Sequence, residues 1–166
     1  MNRNITPLIP PCAIAVFVGG LYVRTLAPGL TWANDGADGG DFLAALATGG
    51  VPHPAGYPTY MLLASLFAKL PLGPLAYRMN LFSCLCMTLA VFLFYWLVRL
   101  LTDNPYIASL SSLTLGTFPL VWAQALITEV YALQLLLSIL VLLLFLPYKS
   151  TSLRDIVGGL TVGLAL

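Results

Sequence analysis

The chain has 166 residues, of which 60% are hydrophobic and 8% are charged, and its formal net charge at pH 7 is +1. Soluble domains carry about 25% charged residues, so this composition predicts an integral membrane protein and argues against a soluble globular core. A net charge so near zero gives no reason to expect nucleic-acid binding. The three cysteines have neither the even number of a disulfide framework nor the spacing of a zinc site.

The first predicted element is a membrane helix over residues 9–26, which follows a short polar start containing Arg3. Its length approaches the roughly 20 residues that span a bilayer. A basic start before an apolar run is also typical of a signal peptide, but no small-residue cleavage site follows. We therefore expect an uncleaved first membrane helix.

A long polar segment, residues 28–78, comes next and is predicted to form an outer loop. It holds three of the six acidic residues within seven positions, and the only histidine, His53. The three are Asp35, Asp38 and Asp41. Carboxylates crowded at the mouth of a membrane helix are costly unless they stay hydrated or serve a function.

Two short helices are predicted inside this loop. Residues 41–48 can form two turns lying at the membrane interface, with Asp38 or Asp41 as the N-cap and a Gly-Gly pair as the stop. Residues 60–72 are apolar but too short to span, which favours an interfacial or re-entrant helix.

Further membrane helices are predicted over the rest of the chain, at residues 81–101, 106–121, 125–146 and 156–166. The last of them has too few residues to cross a bilayer. We therefore expect residues 1–166 to be the N-terminal part of one multi-pass, all-α transmembrane domain that is C-terminally incomplete.

The seven basic residues favour one orientation of these helices. Positive charge accumulates on the cytoplasmic side, and the division is four inside to three outside if residues 60–72 do not cross. The inside set is Arg3, Arg99, Lys149 and Arg154, and the outside set is Arg24, Lys69 and Arg78. This orientation places Glu129 on the same outer side as the aspartate cluster.

Five short motifs then occur in a fixed order. They are ANDGADGGDF at 33–42, GVPHPAGYPTY at 50–60, RMNL at 78–81, WAQA at 122–125 and EVYAL at 129–133. Together they resemble a bacterial family of membrane proteins related to protein O-mannosyltransferases, across roughly residues 26–146. The resemblance implies a GT-C fold with many membrane helices, an active site on the outer face and a polyprenyl-phosphate sugar donor.

Candidate catalytic residues lie in the first motif. Transfer of a sugar to a hydroxyl needs a group that accepts the hydroxyl proton, and a positioned carboxylate can do this. Asp38 is the preferred base, and its competing interpretation is a helix cap. Asp35 and Asp41 are alternatives that could also hold the acceptor or a divalent cation through oxygen ligands. Asp41 stands where the family commonly has Glu, and metal dependence differs among related GT-C enzymes, so a metal stays open.

Candidate substrate-binding residues come from the other motifs. His53 and Arg78 could face the phosphate of the donor, as arginine binds two phosphate oxygens, and Tyr57 belongs to the same turn motif as His53. Glu129 and Tyr131 lie at a predicted helix start, and an acidic residue within a membrane helix is commonly functional. The competing interpretations are a turn residue for His53, a headgroup contact for Arg78 and a helix-dipole partner for Glu129.

The residues themselves indicate an acidic, water-facing site at a membrane surface, and the resemblance implies an inverting membrane glycosyltransferase. It would move a sugar such as mannose from a polyprenyl-phosphate donor to a hydroxyl on a protein or glycan, at the outer face of a bacterial inner membrane, with the bilayer itself as a partner. The alternatives are a transporter or cation-binding membrane protein, and a noncatalytic assembly subunit. Clustering of the acids in a loop, without an internal repeat, argues against a transporter. Residues 1–166 alone are expected to be inactive.

Overall fold

The computed structural model describes residues 8–146 and 152–165, and the regular structure in these ranges is entirely helical. It consists of eight α-helices and one short 3₁₀ turn, Ala33–Asp35. The α-helices are α1 (Ile9–Thr25), α2 (Gly39–Thr48), α3 (Pro58–Phe67), α4 (Leu75–Thr102), α5 (Pro105–Thr117), α6 (Pro119–Ala125), α7 (Tyr131–Phe145) and α8 (Ser152–Ala165). The all-α prediction is confirmed. The predicted orientation also relied on Arg3, Lys149 and Arg154. The first two, and the side chain of Arg154, lie outside the described residues.

The longest helix, α4, is the element against which most of the others pack, with α1, α5 and α7 as its main neighbours, and α8 packs against α7. Within the described ranges it is the one helix that is long and apolar enough by itself to cross a membrane. It begins at Leu75, six residues before the predicted start at 81, because Pro74 has extended backbone angles that open the helix and no breaker follows. It ends where Asp103 adopts a left-handed conformation.

The helix predicted over residues 106–121 is instead a bent pair, α5 and α6, whose axes differ by 62°. Phe118, between them, has extended backbone angles (φ −64°, ψ 129°), and Pro119 opens α6. A residue before proline is driven away from the helical region by the proline ring, so α5 must end at Thr117. As a pair, α5 and α6 also meet the length and composition of one broken span.

The helix predicted over residues 125–146 is also shorter than expected. Residues 126–130 form an irregular segment, and α7 begins only at Tyr131. The segment is fixed by contacts made elsewhere in the fold, including a backbone hydrogen bond of 3.3 Å from the amide of Ala27 to the carbonyl of Leu126. Glu129 thus lies between helices, not inside one. The predicted helix 156–166 corresponds to α8, which begins at Ser152.

The two short helices of the polar loop pack against the N-terminal end of α4. Phe42 of α2 is fully buried and contacts the ring of Tyr60 of α3 at 5.0 Å between centroids, and Tyr60 in turn contacts Phe82 of α4 at 5.8 Å. This aromatic chain connects α2 and α3 to α4. The loop residues are therefore held at one end of the longest helix.

Candidate functional site

Asp38 lies immediately before α2, in the predicted N-cap position, but its side chain makes no capping hydrogen bond. Its carboxylate Oδ2 lies 3.7 Å from Nε2 of His53, and about two fifths of the side chain is exposed. The carboxylate is therefore not engaged in capping α2 and stays accessible to water. A general base that takes a proton from an acceptor hydroxyl needs an accessible carboxylate of this kind.

Asp41, in the first turn of α2, holds His53 through two contacts with a single oxygen. Oδ2 accepts a hydrogen bond of 2.7 Å from the backbone N–H of His53 and lies 2.8 Å from its ring Nδ1. The backbone hydrogen bond, followed by the one from the ring, lowers the pKa of Asp41 below its ordinary value. An ionised carboxylate only accepts hydrogen bonds, so Nδ1 carries the proton and the Nε2 edge is left to face Asp38.

The turn that carries His53 is packed by aromatic rings. The His53 ring lies 5.7 Å from that of Phe42 and 5.3 Å from that of Tyr57. Tyr57 precedes α3 with a left-handed backbone (φ 44°), which brings its ring back over the turn. These contacts fix the direction of the imidazole. Beside the same turn is an open, largely apolar groove of about 330 Å³, lined by Gly50, Val51, Pro52, Ala55, Gly56, Pro58 and Met61.

Glu129 approaches Asp38 from the irregular segment 126–130, although 91 residues separate them in sequence. Its Oε1 accepts a 3.3 Å hydrogen bond from the backbone N–H of Asp38, and the residue is only 2% exposed. Its Oε2 is buried without a hydrogen-bond partner. Burial raises the pKa of Glu129, and the hydrogen bond from Asp38 opposes that rise. The structure thus brings together five of the predicted residues. Asp38, Asp41, His53 and Glu129 form a polar group, and the ring of Tyr57 packs against His53.

Three predicted site residues do not join this group. Asp35 is exposed in the 3₁₀ turn, and Tyr131 is half exposed at the start of α7. Nη1 of Arg78 donates to the carbonyls of Ala68 and Leu70, just after α3. This guanidinium therefore ties the end of α3 to α4 and does not point to the aspartate cluster.

Two residues of α4 that we had not predicted as site residues hold the site together. The Asn80 amide donates to the carbonyls of Ala27 (2.9 Å) and Gly29 (3.0 Å), and its Oδ1 accepts from the hydroxyl of Thr128 at 2.7 Å. Ser83 donates to the backbone carbonyl of Glu129 at 3.4 Å. The RMNL motif and a polar amide before an apolar helical run were the available signals for Asn80. The contacts by which Asn80 and Ser83 stabilise the site could not be predicted, because their partners are distant in sequence.

The positions of the His, Cys, Asp and Glu side chains determine whether this part of the chain could bind a metal ion. Across the described residues, no group of three or more His, Cys, Asp and Glu side chains is placed to hold a metal ion. The nearest approach to such a group is Asp38, His53 and Asp41, where both ring nitrogens of the histidine face carboxylates. This arrangement can accept a proton at the water-accessible carboxylate of Asp38, with the imidazole of His53 next to that carboxylate.

Comparison with known proteins adds a second kind of evidence. The family model described as "Protein O-mannosyl-transferase TMEM260 N-terminal domain" matches residues 38–164. The mouse (Mus musculus) protein O-mannosyl-transferase TMEM260 is 32% identical over 161 residues, which is 93% of this chain and 23% of the relative. A Dictyostelium discoideum protein O-mannosyl-transferase tmem260 is 26% identical over 128 residues, 74% of this chain and 15% of the relative.

This chain therefore spans less than a quarter of the length of these curated relatives. Neither of the two is bacterial, whereas the motifs resembled a bacterial family. No solved structure gives a significant match.

Proposed function

This chain belongs to the protein O-mannosyl-transferase TMEM260 N-terminal domain family, and we propose that it supplies the catalytic base of a membrane protein O-mannosyltransferase. The relatives bear that activity in their names, which favours a transferase over the transporter alternative. The observation that carries the proposal is the carboxylate of Asp38. It is accessible to water, is not used to cap α2 and faces His53, while Glu129 accepts a hydrogen bond from the backbone N–H of the same residue.

In the proposed reaction, the acceptor is a protein serine or threonine hydroxyl and the donor is mannose linked to a polyprenyl phosphate. The hydroxyl oxygen attacks the anomeric carbon while Asp38 takes the hydroxyl proton. The bond from that carbon to the phosphate oxygen breaks on the opposite face, and its electron pair leaves with the phosphate. Attack opposite the leaving group inverts the configuration of the sugar carbon.

The proposed setting is a multi-pass, GT-C-like membrane domain with this site on the outer face. The site lies at the N-terminal end of α4, whereas Arg99, paired with Asp103 at 2.5 Å, lies in its last turn. Opposite ends of one spanning helix emerge on opposite sides of the bilayer. With Arg99 on the cytoplasmic side, as the four-to-three division of the basic residues predicts, Asp38 is outside.

Asp38→Asn in the intact protein tests the proposal. Asparagine is about as good an N-cap as aspartate, so we expect the protein to fold and to bind donor normally. Removal of the base should lower turnover by roughly 10²–10⁴-fold, the range of general acid–base catalysis. The measurement is mannose transfer from a polyprenyl-phosphate donor to an acceptor peptide in nanodiscs.

Asp35→Asn is the matched control, because Asp35 has the same chemistry in the same loop but lies apart from the site. It should keep near-wild-type turnover. Normal turnover of Asp38→Asn, or a larger loss in Asp35→Asn, would contradict the assignment of the base.

A further inference from the structure

His53 is enclosed by carboxylates on both edges of its ring. Asp41 contacts Nδ1 at 2.8 Å and the backbone N–H at 2.7 Å, and Asp38 faces Nε2 at 3.7 Å. The other titratable groups towards it are Tyr57, whose ring packs on the imidazole, and Glu129, whose charge acts on it from segment 126–130. A donor phosphate would find no ring N–H directed away from these carboxylates.

The tautomer of the histidine follows from these partners. Because Asp41 can only accept, the proton of a neutral imidazole is on Nδ1 and the lone pair of Nε2 points towards Asp38. A lone pair and a carboxylate that face each other repel unless one proton lies between them. The geometry is therefore suited to hold one exchangeable proton between Asp38 and His53.

From this arrangement we propose that His53 is a positioning residue that receives from Asp38 the proton lost by the acceptor hydroxyl, and that Asp41 fixes the tautomer needed for this. The inference rests on the proposed function. As the sugar bond forms, the hydroxyl proton moves to Asp38; it then passes from Asp38 Oδ2 to His53 Nε2, which restores the carboxylate. The gap of 3.7 Å is closed by a small side-chain adjustment or by one bridging water.

The resulting imidazolium is stabilised by the two carboxylates beside it. Since 35% of the His53 side chain is exposed, water can take the proton and reset the site. Imidazole is the side chain suited to this task because it changes charge close to neutral pH. Two rival interpretations, a phosphate ligand and a simple turn residue, predict no such coupling between Asp38, His53 and Asp41.

His53→Asn in the intact protein separates these interpretations. The asparagine amide can still donate to Asp41 from near the Nδ1 position, but it offers nothing that titrates at the Nε2 position. We expect turnover at neutral pH to fall about 10–100-fold, the donor KM to change little, and the limb of the pH profile near neutrality to disappear. Ser65→Ala, at a partly buried position of α3 whose hydroxyl donates to the carbonyl of Leu62, is the control and should keep both turnover and the limb.

The outcomes distinguish the inference from the function on which it rests. Unchanged turnover in His53→Asn, or a loss that leaves the neutral limb in place, overturns the relay. A raised donor KM with unchanged turnover points to a phosphate ligand and also overturns it. A wild-type protein that transfers no mannose contradicts the proposed function itself.

A second measurement does not depend on transfer. Diethylpyrocarbonate labels uncharged imidazole, and mass spectrometry of the peptide containing residue 53 gives the rate at that histidine. Asp41→Asn keeps an oxygen for the hydrogen bonds but removes the negative charge beside the ring, so the labelling rate at residue 53 should differ from that of the wild type by about 3–10-fold. Equal rates in the two proteins would overturn the inferred coupling.

Discussion

Asp41 is stabilised as an anion by the histidine that it holds. The hydrogen bonds from His53 lower its pKa in the folded protein, so the folded state binds a proton at Asp41 less readily than the unfolded chain does. This contribution to stability is fully present above the ordinary carboxyl pKa, near 4, and is lost as the pH falls through the lowered folded value. Because the side chain is 46% exposed, the effect should be modest.

The thermal stability of the wild type should therefore fall more steeply than that of Asp41→Asn as the pH is lowered from about 5 to 3. Asparagine can still accept the hydrogen bonds but has no charge to lose over this range. Thermal unfolding in detergent, followed across pH for both proteins, measures the difference. Parallel curves for the two proteins would contradict the contribution assigned to Asp41.

Asn80 also stabilises the fold, since its buried amide forms hydrogen bonds with three partners in two separate segments. Asn80→Ala removes the hydrogen-bond partner of the buried Thr128 hydroxyl and of two partly buried backbone carbonyls. Leaving a buried polar group unsatisfied costs about 1–3 kcal/mol, and we expect a loss of at least that order in the free energy of unfolding. The melting temperature in detergent is the measurement.

Ser83→Ala is the comparison for that experiment, because Ser83 gives up one long hydrogen bond of 3.4 Å. Its melting temperature should fall less than that of Asn80→Ala. Equal losses would mean that Asn80 stabilises the protein through packing and not through its hydrogen bonds.

Among the helices, the contact of α1 with α5 depends on the absence of a side chain at Gly116. A Cβ there would lie 2.9 Å from both methyl groups of Val18, and the Gly116 carbonyl accepts a 2.6 Å hydrogen bond from Tyr22. The two helices can approach this closely only because the residue is glycine. Small residues have the same function at helix interfaces in membranes generally.

Gly116→Ala should therefore push α1 and α5 apart and destabilise the protein by about 1–3 kcal/mol, the usual cost of overfilling a packed core. Gly20→Ala is the matched control in α1, since a Cβ at Gly20 meets nothing within 4 Å. The control should be neutral or slightly stabilising because alanine favours helix more than glycine does. A melting temperature for Gly116→Ala equal to that of Gly20→Ala would show that the contact tolerates a methyl group.

The bounds of the helices show which features were readable from the sequence. The break before Pro119 follows from a local rule about the residue that precedes proline, and it could have been anticipated. The late start of α7 could not, because residues 126–130 look as helical as their neighbours and are held irregular by Asn80, Ser83 and Asp38. Tertiary hydrogen bonds outweigh local propensity there.

For the molecule as a whole, composition and apolar runs were sufficient to predict the all-α class and the order of most elements. The sequence predicted that Glu129 and Asp38 lie on the same side of a membrane, but it did not predict their contact. That contact depends on how segment 126–130 folds over α4. The sequence also did not show which of the three aspartates contacts His53, because Asp35, Asp38 and Asp41 all lie in one polar segment. Only the fold separates the exposed Asp35 from the pair that encloses His53.

The length of α4 has a consequence for the surroundings of the protein. Its 28 residues extend about 42 Å at 1.5 Å per residue, whereas the hydrocarbon core of a bilayer is about 30 Å thick. In the proposed topology such a helix must tilt or project, by an amount that depends on bilayer thickness. Asn80 and Ser83 lie near its outer end, so the acyl-chain length of the surrounding lipids would help to set how far Asp38 stands from a donor anchored in the same leaflet.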